Sequence, residues 1–151
     1  MDPSFWHQRW EQGEIGFHEQ QVNPALVDHL GRLNLAKGAR LFLPLCGKTQ
    51  DIAWLLAQGY RVAGVELSPL AINELFQGLA ITPDTSPCGK LVHHSAANID
   101  IWVGDIFDLS SQKLGAIDAV YDRAALVALP EDMRPRYAAH LSALTRGAQQ
   151  L

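Results

Sequence analysis

The chain has 151 residues, 48% of them apolar and 19% charged, with a formal net charge of −4 and a pI near 5.8. That is enough chain for one domain with its own core, and the composition is not that of a disordered segment. No Lys/Arg-rich block occurs and no apolar run reaches the length of a membrane span, so neither a nucleic-acid partner nor a membrane-spanning role is expected.

Cys46 and Cys88 are the only cysteines, and they lack metal-ligand spacing. Together with the absence of a signal-peptide pattern they point to a reducing, cytoplasmic setting. In chain order, "DPSFWHQRW" predicts a first helix, with Asp2 as cap and Pro3 at the first position. "EQGEIGFHEQ" reads as a loop. "NPALVDHLGRL" repeats an Asn-Pro start and carries Leu26, Val27, Leu30 and Leu33 at helical spacing, with Lys37-Gly38 as its end.

A strand–helix–strand unit follows. "ARLFLPL" is a buried strand by its continuous apolar character, "TQDIAWLLAQG" a helix stopped by Gly59, and "YRVAGVEL" a second strand. "SPLAINELF" is a helix capped by Ser68. "QGLAITPDTSPCGK" has the composition of a mobile loop. "LVHHSAANIDIWVGDIF" holds two strand-like runs divided near Ala97-Asn98. "AIDAVYD" is a further strand, "RAALVAL" a short helix or turn, and "PEDMRPRYAAHLSALTRG" a final helix with Tyr137, Leu141 and Leu144 on one face.

Alternating strands and helices predict an α/β fold, a Rossmann-like doubly wound and mostly parallel sheet. The stop at "AQQL", directly after a helix, suggests that C-terminal strands are missing. The expected organisation is a single domain over residues 1–151: an N-terminal lid segment (1–22) and a core (23–151) truncated at its C-terminus.

The stretch "LFLPLCGKTQD" (41–51) ends like a phosphate-binding loop but has Phe42 where such a loop needs its first glycine. It fits neither G-x-G-x-x-G nor G-x-x-x-x-G-K-[ST], so it offers no cradle for phosphates. Glu66 stands nineteen positions after Gly47, at the end of the second strand. A carboxylate there accepts hydrogen bonds from the two hydroxyls of a ribose. Ribose recognition without phosphate recognition points to S-adenosylmethionine; the plainer alternative is a solvent-facing Glu after a strand. Asp105 ends the third core strand at the same edge, either meeting an adenine amine or capping a turn. Asp122 and Arg123 close the fourth strand, and the Arg is suited to pairing with a carboxylate; an Asp-Arg surface turn is the alternative.

"FWHQRW…GFH", "LPLCGKTQDIAWL", "GVELSPLAI" and "YDRAALVALP" resemble, in order and across nearly the whole chain, the thiopurine S-methyltransferases, especially their bacterial branch. The resemblance implies a class I methyltransferase using S-adenosylmethionine. Carried over to this sequence, it implies cofactor contacts from Trp10, Leu45, Glu66, Asp105, Ile106 and Arg123, with Gly47 and Ser68 as extensions. It implies a substrate-facing aromatic at Phe17, beside which His18 could line the pocket. For bacterial members it also implies methylation of selenium or tellurium species and tellurite tolerance.

Trp10 and Phe17 could also simply pack the N-terminal helix onto the core, which is the reading preferred for Trp6. An aromatic face near a sulfonium gains roughly 0.5–2 kcal/mol. A heterocyclic thiolate needs little help from a base, so no catalytic dyad is required, and Asp122 or Arg123 could assist or hold the substrate. His93 and His94 have no metal-ligand pattern, Cys46 has no paired His, and Lys48-Thr49 reads as a helix start.

The expected partner is a small-molecule thiol, with the protein a monomer and no metal bound. Two other readings stay open: a nicotinamide-dependent oxidoreductase, against which the missing glycines argue, and a non-catalytic nucleoside-binding module or inactive fragment.

Overall fold

The computed structural model describes residues 22–122 and 131–150. A seven-stranded sheet carries the fold: β1 (Arg40–Pro44), β2 (Arg61–Glu66), β3 (Asp84–Cys88), β4 (Leu91–Ala96), β5 (Ile99–Val103), β6 (Ala119–Val120) and β7 (Gln149–Gln150), in the order β3-β4-β5-β2-β1-β6-β7. β5, β2, β1, β6 and β7 run parallel, while β3 and β4 form an antiparallel hairpin at one edge. The chain direction of the order reverses beside β1, which makes the gap between β1 and β6 the topological switch point.

Helices cover both faces, as the continuous apolar strands require. α1 (Pro24–His29), α2 (Gln50–Ala57) and α3 (Pro69–Leu79) supply Leu26, Ile52, Leu55, Ile72, Leu75 and Phe76 to a core shared with Leu41, Leu43, Val62, Ile101 and Tyr121. α4 (Ser111–Leu114) and α5 (Arg134–Leu144) supply Leu114, Tyr137, Leu141 and Leu144 to the opposite core, with Phe42, Ala63, Val65, Trp102 and Val120. The two sets alternate along β1 and β2, the period-two signature of a strand buried on both sides.

The starts of the first three described helices are satisfied locally. Asn23, Thr49 and Ser68 accept hydrogen bonds from the backbone N–H of Ala25, Asp51 and Ala71. Pro24 and Pro69 open their helices, where a missing N–H costs nothing.

Four expectations change, and one helix goes unread. The first described helix turns into a 3-10 segment (Leu30–Leu33) and ends at Asn34, in the left-handed conformation, before Lys37-Gly38. Val27 faces outward at 44% exposure, because the short helix buries only Leu26 and then Leu30. The expected mobile loop contains β3. Its exposed Asp84–Thr85–Ser86 run has no core-facing alternation, and pairing with β4 alone makes it a strand, with Pro87 tolerated at the sheet edge. α4 has too few turns to leave a periodic signal. Finally, the residues after Gly147 form β7 against β6, so the last helix does feed a strand.

Candidate functional site

Because β1, β2, β5 and β6 are parallel, the turns that follow them open on one edge of the sheet. At the first turn, Leu45 takes a left-handed backbone with φ of 51°, a conformation costing a non-glycine residue roughly 1–2 kcal/mol. Cys46 N–H then returns to the ladder by donating to Val65 O at 3.1 Å. Gly47, also left-handed at φ 57°, turns its own N–H onto Glu66 Oε1 at 3.1 Å. Ser68 N–H donates to Glu66 Oε2 at 2.8 Å. Glu66 is only 7% exposed, so its charge is held in a fixed orientation by amides from two different loops.

The loop's remaining residues behave as helix-start residues. Thr49 caps α2, and Lys48 pairs with Glu74 at 2.7 Å. Neither is arranged as in a phosphate-gripping loop. Cys46 is buried; burial first, then the neighbouring Glu66 charge, push its thiol well above the usual range. It is a packed, protonated thiol, seated against Gly64, where an added Cβ would lie 3.0 Å from both Cys46 Sγ and Ile101 Cδ1.

After β5, Asp105 Oδ1 accepts from Phe107 N–H at 2.9 Å and so caps a one-turn 3-10 segment, Ile106–Asp108. Its Oδ2 has no partner among the described residues. The Ile106 side chain is 1% exposed in the core under α5. The turn drives that side chain inward and leaves the backbone of Ile106 on the open edge. The Ser68 hydroxyl caps α3, and its amide N–H is bonded to Glu66.

α5 braces this side. Tyr137 O–H donates to Asp122 Oδ2 at 3.2 Å, and the His140 ring bonds Ile106 O at 2.8 Å. Burial, followed by the Asp122 charge and the hydrogen bond to it, raises the Tyr137 pKa above its ordinary value. Trp10, Phe17, His18 and Arg123 lie outside the described residues.

Sequence reading missed Asp51. It is 1% exposed in the first turn of α2, accepting from Asn23 N–H at 2.6 Å and from Tyr121 O–H at 3.0 Å. Its position on the same helical stripe as Ile52 and Leu55 was the available signal. His93 stacks on Trp102, with centroids 4.6 Å apart, and bonds Asp100 at 2.8 Å; this is a sheet histidine. Among the described residues no group of three or more His, Cys, Asp or Glu is placed to hold a metal. No described helix is long and apolar enough to cross a membrane.

The thiopurine S-methyltransferase family model matches residues 1–151. The chain belongs to that family. A thiopurine S-methyltransferase of Xanthobacter autotrophicus is 57% identical over 152 residues, covering all of this chain and 71% of its own length. One from Teredinibacter turnerae is 56% identical, over 100% of this chain and 70% of its own.

Among solved structures, the 1,6-didemethyltoxoflavin-N1-methyltransferase of Burkholderia thailandensis, with bound 1,6-didemethyltoxoflavin and S-adenosylhomocysteine, superposes with a TM-score of 0.67 at 21% identity, covering 95% of this chain and 56% of its own. A TehB-like methyltransferase of Corynebacterium glutamicum gives 0.59 at 19%, covering 97% and 68%. These likenesses show the Rossmann-like methyltransferase fold. Family membership makes the chain an S-adenosylmethionine-dependent methyltransferase and decides against the nicotinamide reading.

The described residues of this thiopurine S-methyltransferase family member fit that cofactor. A buried, oriented carboxylate stands at the end of β2, beside a turn that admits one close backbone approach and has no phosphate cradle.

Proposed function

We propose that the chain transfers a methyl group from S-adenosylmethionine to the sulfur of small aromatic or heterocyclic thiols such as thiopurines. The observation that carries this reading is the Glu66 carboxylate, fixed by the Gly47 and Ser68 amides at the switch-point edge. The relatives' names supply the acceptor class. The family resemblance alone extends the reading to selenium and tellurium species and to tellurite tolerance.

In this reading Glu66 takes the ribose diol, Leu45 and Gly47 line the cofactor with their backbone, and Asp105 Oδ2 with the Ile106 backbone meets the adenine edge. Trp10, Arg123, Phe17 and His18 are assigned by motif match only, the first two to cofactor and the last two to the acceptor. Asp122, held by Tyr137, and Arg123, its neighbour in sequence, are the candidates for assisting or holding the acceptor.

When bound, S-adenosylmethionine supplies a methyl group on a positively charged sulfur. The residues named above would hold that donor, and it would offer the acceptor thiolate a methyl carbon whose bond to the donor sulfur breaks, with loss of the positive charge, as the new sulfur–carbon bond forms. The protein's part is alignment, which can supply up to ~7–11 kcal/mol. Cys46, buried and protonated, does not compete as a nucleophile. A single, cytoplasmic, monomeric domain with no nucleic-acid partner completes the proposal.

Calorimetry with S-adenosylhomocysteine and with NADH, alongside a thiol methylation assay, tests it. Binding of the first only, with product formed, supports the reading; cofactor binding without methylation leaves a nucleoside-binding module; preference for NADH overturns it.

A further inference from the structure

The Asp51 carboxylate has no part in the reading above, yet it joins three stretches of chain. Oδ1 accepts from Asn23 N–H at 2.6 Å, and Oδ2 accepts from Tyr121 O–H at 3.0 Å. Its own backbone N–H donates to Thr49 Oγ1 at 3.2 Å, at the mouth of the cofactor loop. A buried carboxylate is costly unless hydrogen-bonded, and a carboxylate in the first turn of a helix is favoured by the helix dipole. At 1% exposure Asp51 does not reach a ligand, so any effect on chemistry runs through the groups it holds.

Those groups are the ends of two stretches that carry site residues. Asn23, itself the cap of α1, follows Phe17 and His18 closely in sequence, and Tyr121 directly precedes Asp122 and Arg123. Tyr121 is also tied to β1 through its N–H to Phe42 O at 2.9 Å. The bonds of the Gly47 and Ser68 amides to Glu66 do not involve the Asp51 side chain.

We infer that Asp51 is a positioning residue for the acceptor side of methyl transfer, setting the start of α1 and the residues that follow β6 against the cofactor loop. The inference rests on the methyltransferase reading. Asp51→Asn keeps the shape and one acceptor oxygen but loses the charge. Tyr121→Phe removes one bond and leaves the carboxylate, so it serves if Asp51→Asn fails to fold.

The experiment measures thiol kinetics, S-adenosylhomocysteine affinity and amide hydrogen exchange in the wild type and both variants. Asp51→Asn is expected to lower kcat/KM for the thiol by about 10- to 100-fold, as a misplacement near 1 Å does, while cofactor affinity stays within about threefold. Exchange at the Asn23 amide should quicken, and at Gly47 stay as it was. Tyr121→Phe should lose less, and the double variant should lose less than the product of the two.

Wild-type kinetics in both variants overturns the inference. So does a loss of cofactor affinity in step with kcat/KM, which marks a purely structural pin. A wild type that neither binds S-adenosylhomocysteine nor methylates a thiol overturns the underlying reading and this inference with it.

Discussion

Glu66→Gln isolates the charge on which the cofactor reading depends. The substitution keeps one carbonyl oxygen, so one of the two amides now served, at 3.1 and 2.8 Å, keeps an acceptor. The other meets an NH2 group and is left unsatisfied at a 7% exposed position, a cost of about 1–3 kcal/mol. For a chain of this size each kcal/mol moves Tm by roughly 2–4 °C, so a fall of about 2–12 °C is expected.

Affinity should change more. A ribose diol donating to a charged acceptor gains about 1.5–3 kcal/mol per hydrogen bond. Converting that bond to a neutral or repulsive contact at one or both hydroxyls weakens binding by about 2–4 kcal/mol, or roughly 30- to 1000-fold in Kd. Calorimetric titration with S-adenosylhomocysteine, beside a thermal melt, reads both quantities. A variant with lowered Tm and unchanged Kd would show that Glu66 organises the loop and does not touch the ribose. If neither value moved, the two amide contacts themselves would be refuted.

Gly64→Ala places a Cβ 3.0 Å from Cys46 Sγ and Ile101 Cδ1, and should destabilise by about 1–3 kcal/mol in denaturant titration. Tyr137 has its pKa raised on folding, so above pH ~10 the unfolded chain releases this proton before the native one does. The native state then holds more protons and stability falls as pH rises; replacing Tyr137 with Phe should flatten the alkaline limb, and an equally steep limb would contradict the shift. Phe17→Ala should raise the KM of an aromatic thiol more than that of S-adenosylmethionine, by about 10-fold for a lost aromatic contact of 1.5 kcal/mol; the reverse order removes Phe17 from the acceptor site.

Local chemistry made much of this fold readable. Asn23-Pro24, Thr49 and Ser68-Pro69 announce helix starts because a short polar side chain satisfies an orphan N–H wherever it stands. Continuous apolar runs at 41–43 and 62–65 announce strands buried on both faces. β3 was illegible because its partner, and not its own residues, makes it a strand. For Ile106 a motif marks the position but does not state which way the turn aims its side chain, which packs in the core.

The amino-acid order alone determined a strand, a turn with one useful glycine and an acidic strand end, and with them the expectation of a nucleoside site without a phosphate cradle, since each depends on neighbours in the chain. Only the tertiary structure decided that Glu66 is clamped by amides of two loops and that Asp51 joins α1, α2 and β6. Hydrogen bonds spanning 19, 28 and 70 residues leave no local periodicity, because their partners meet only when the sheet is assembled.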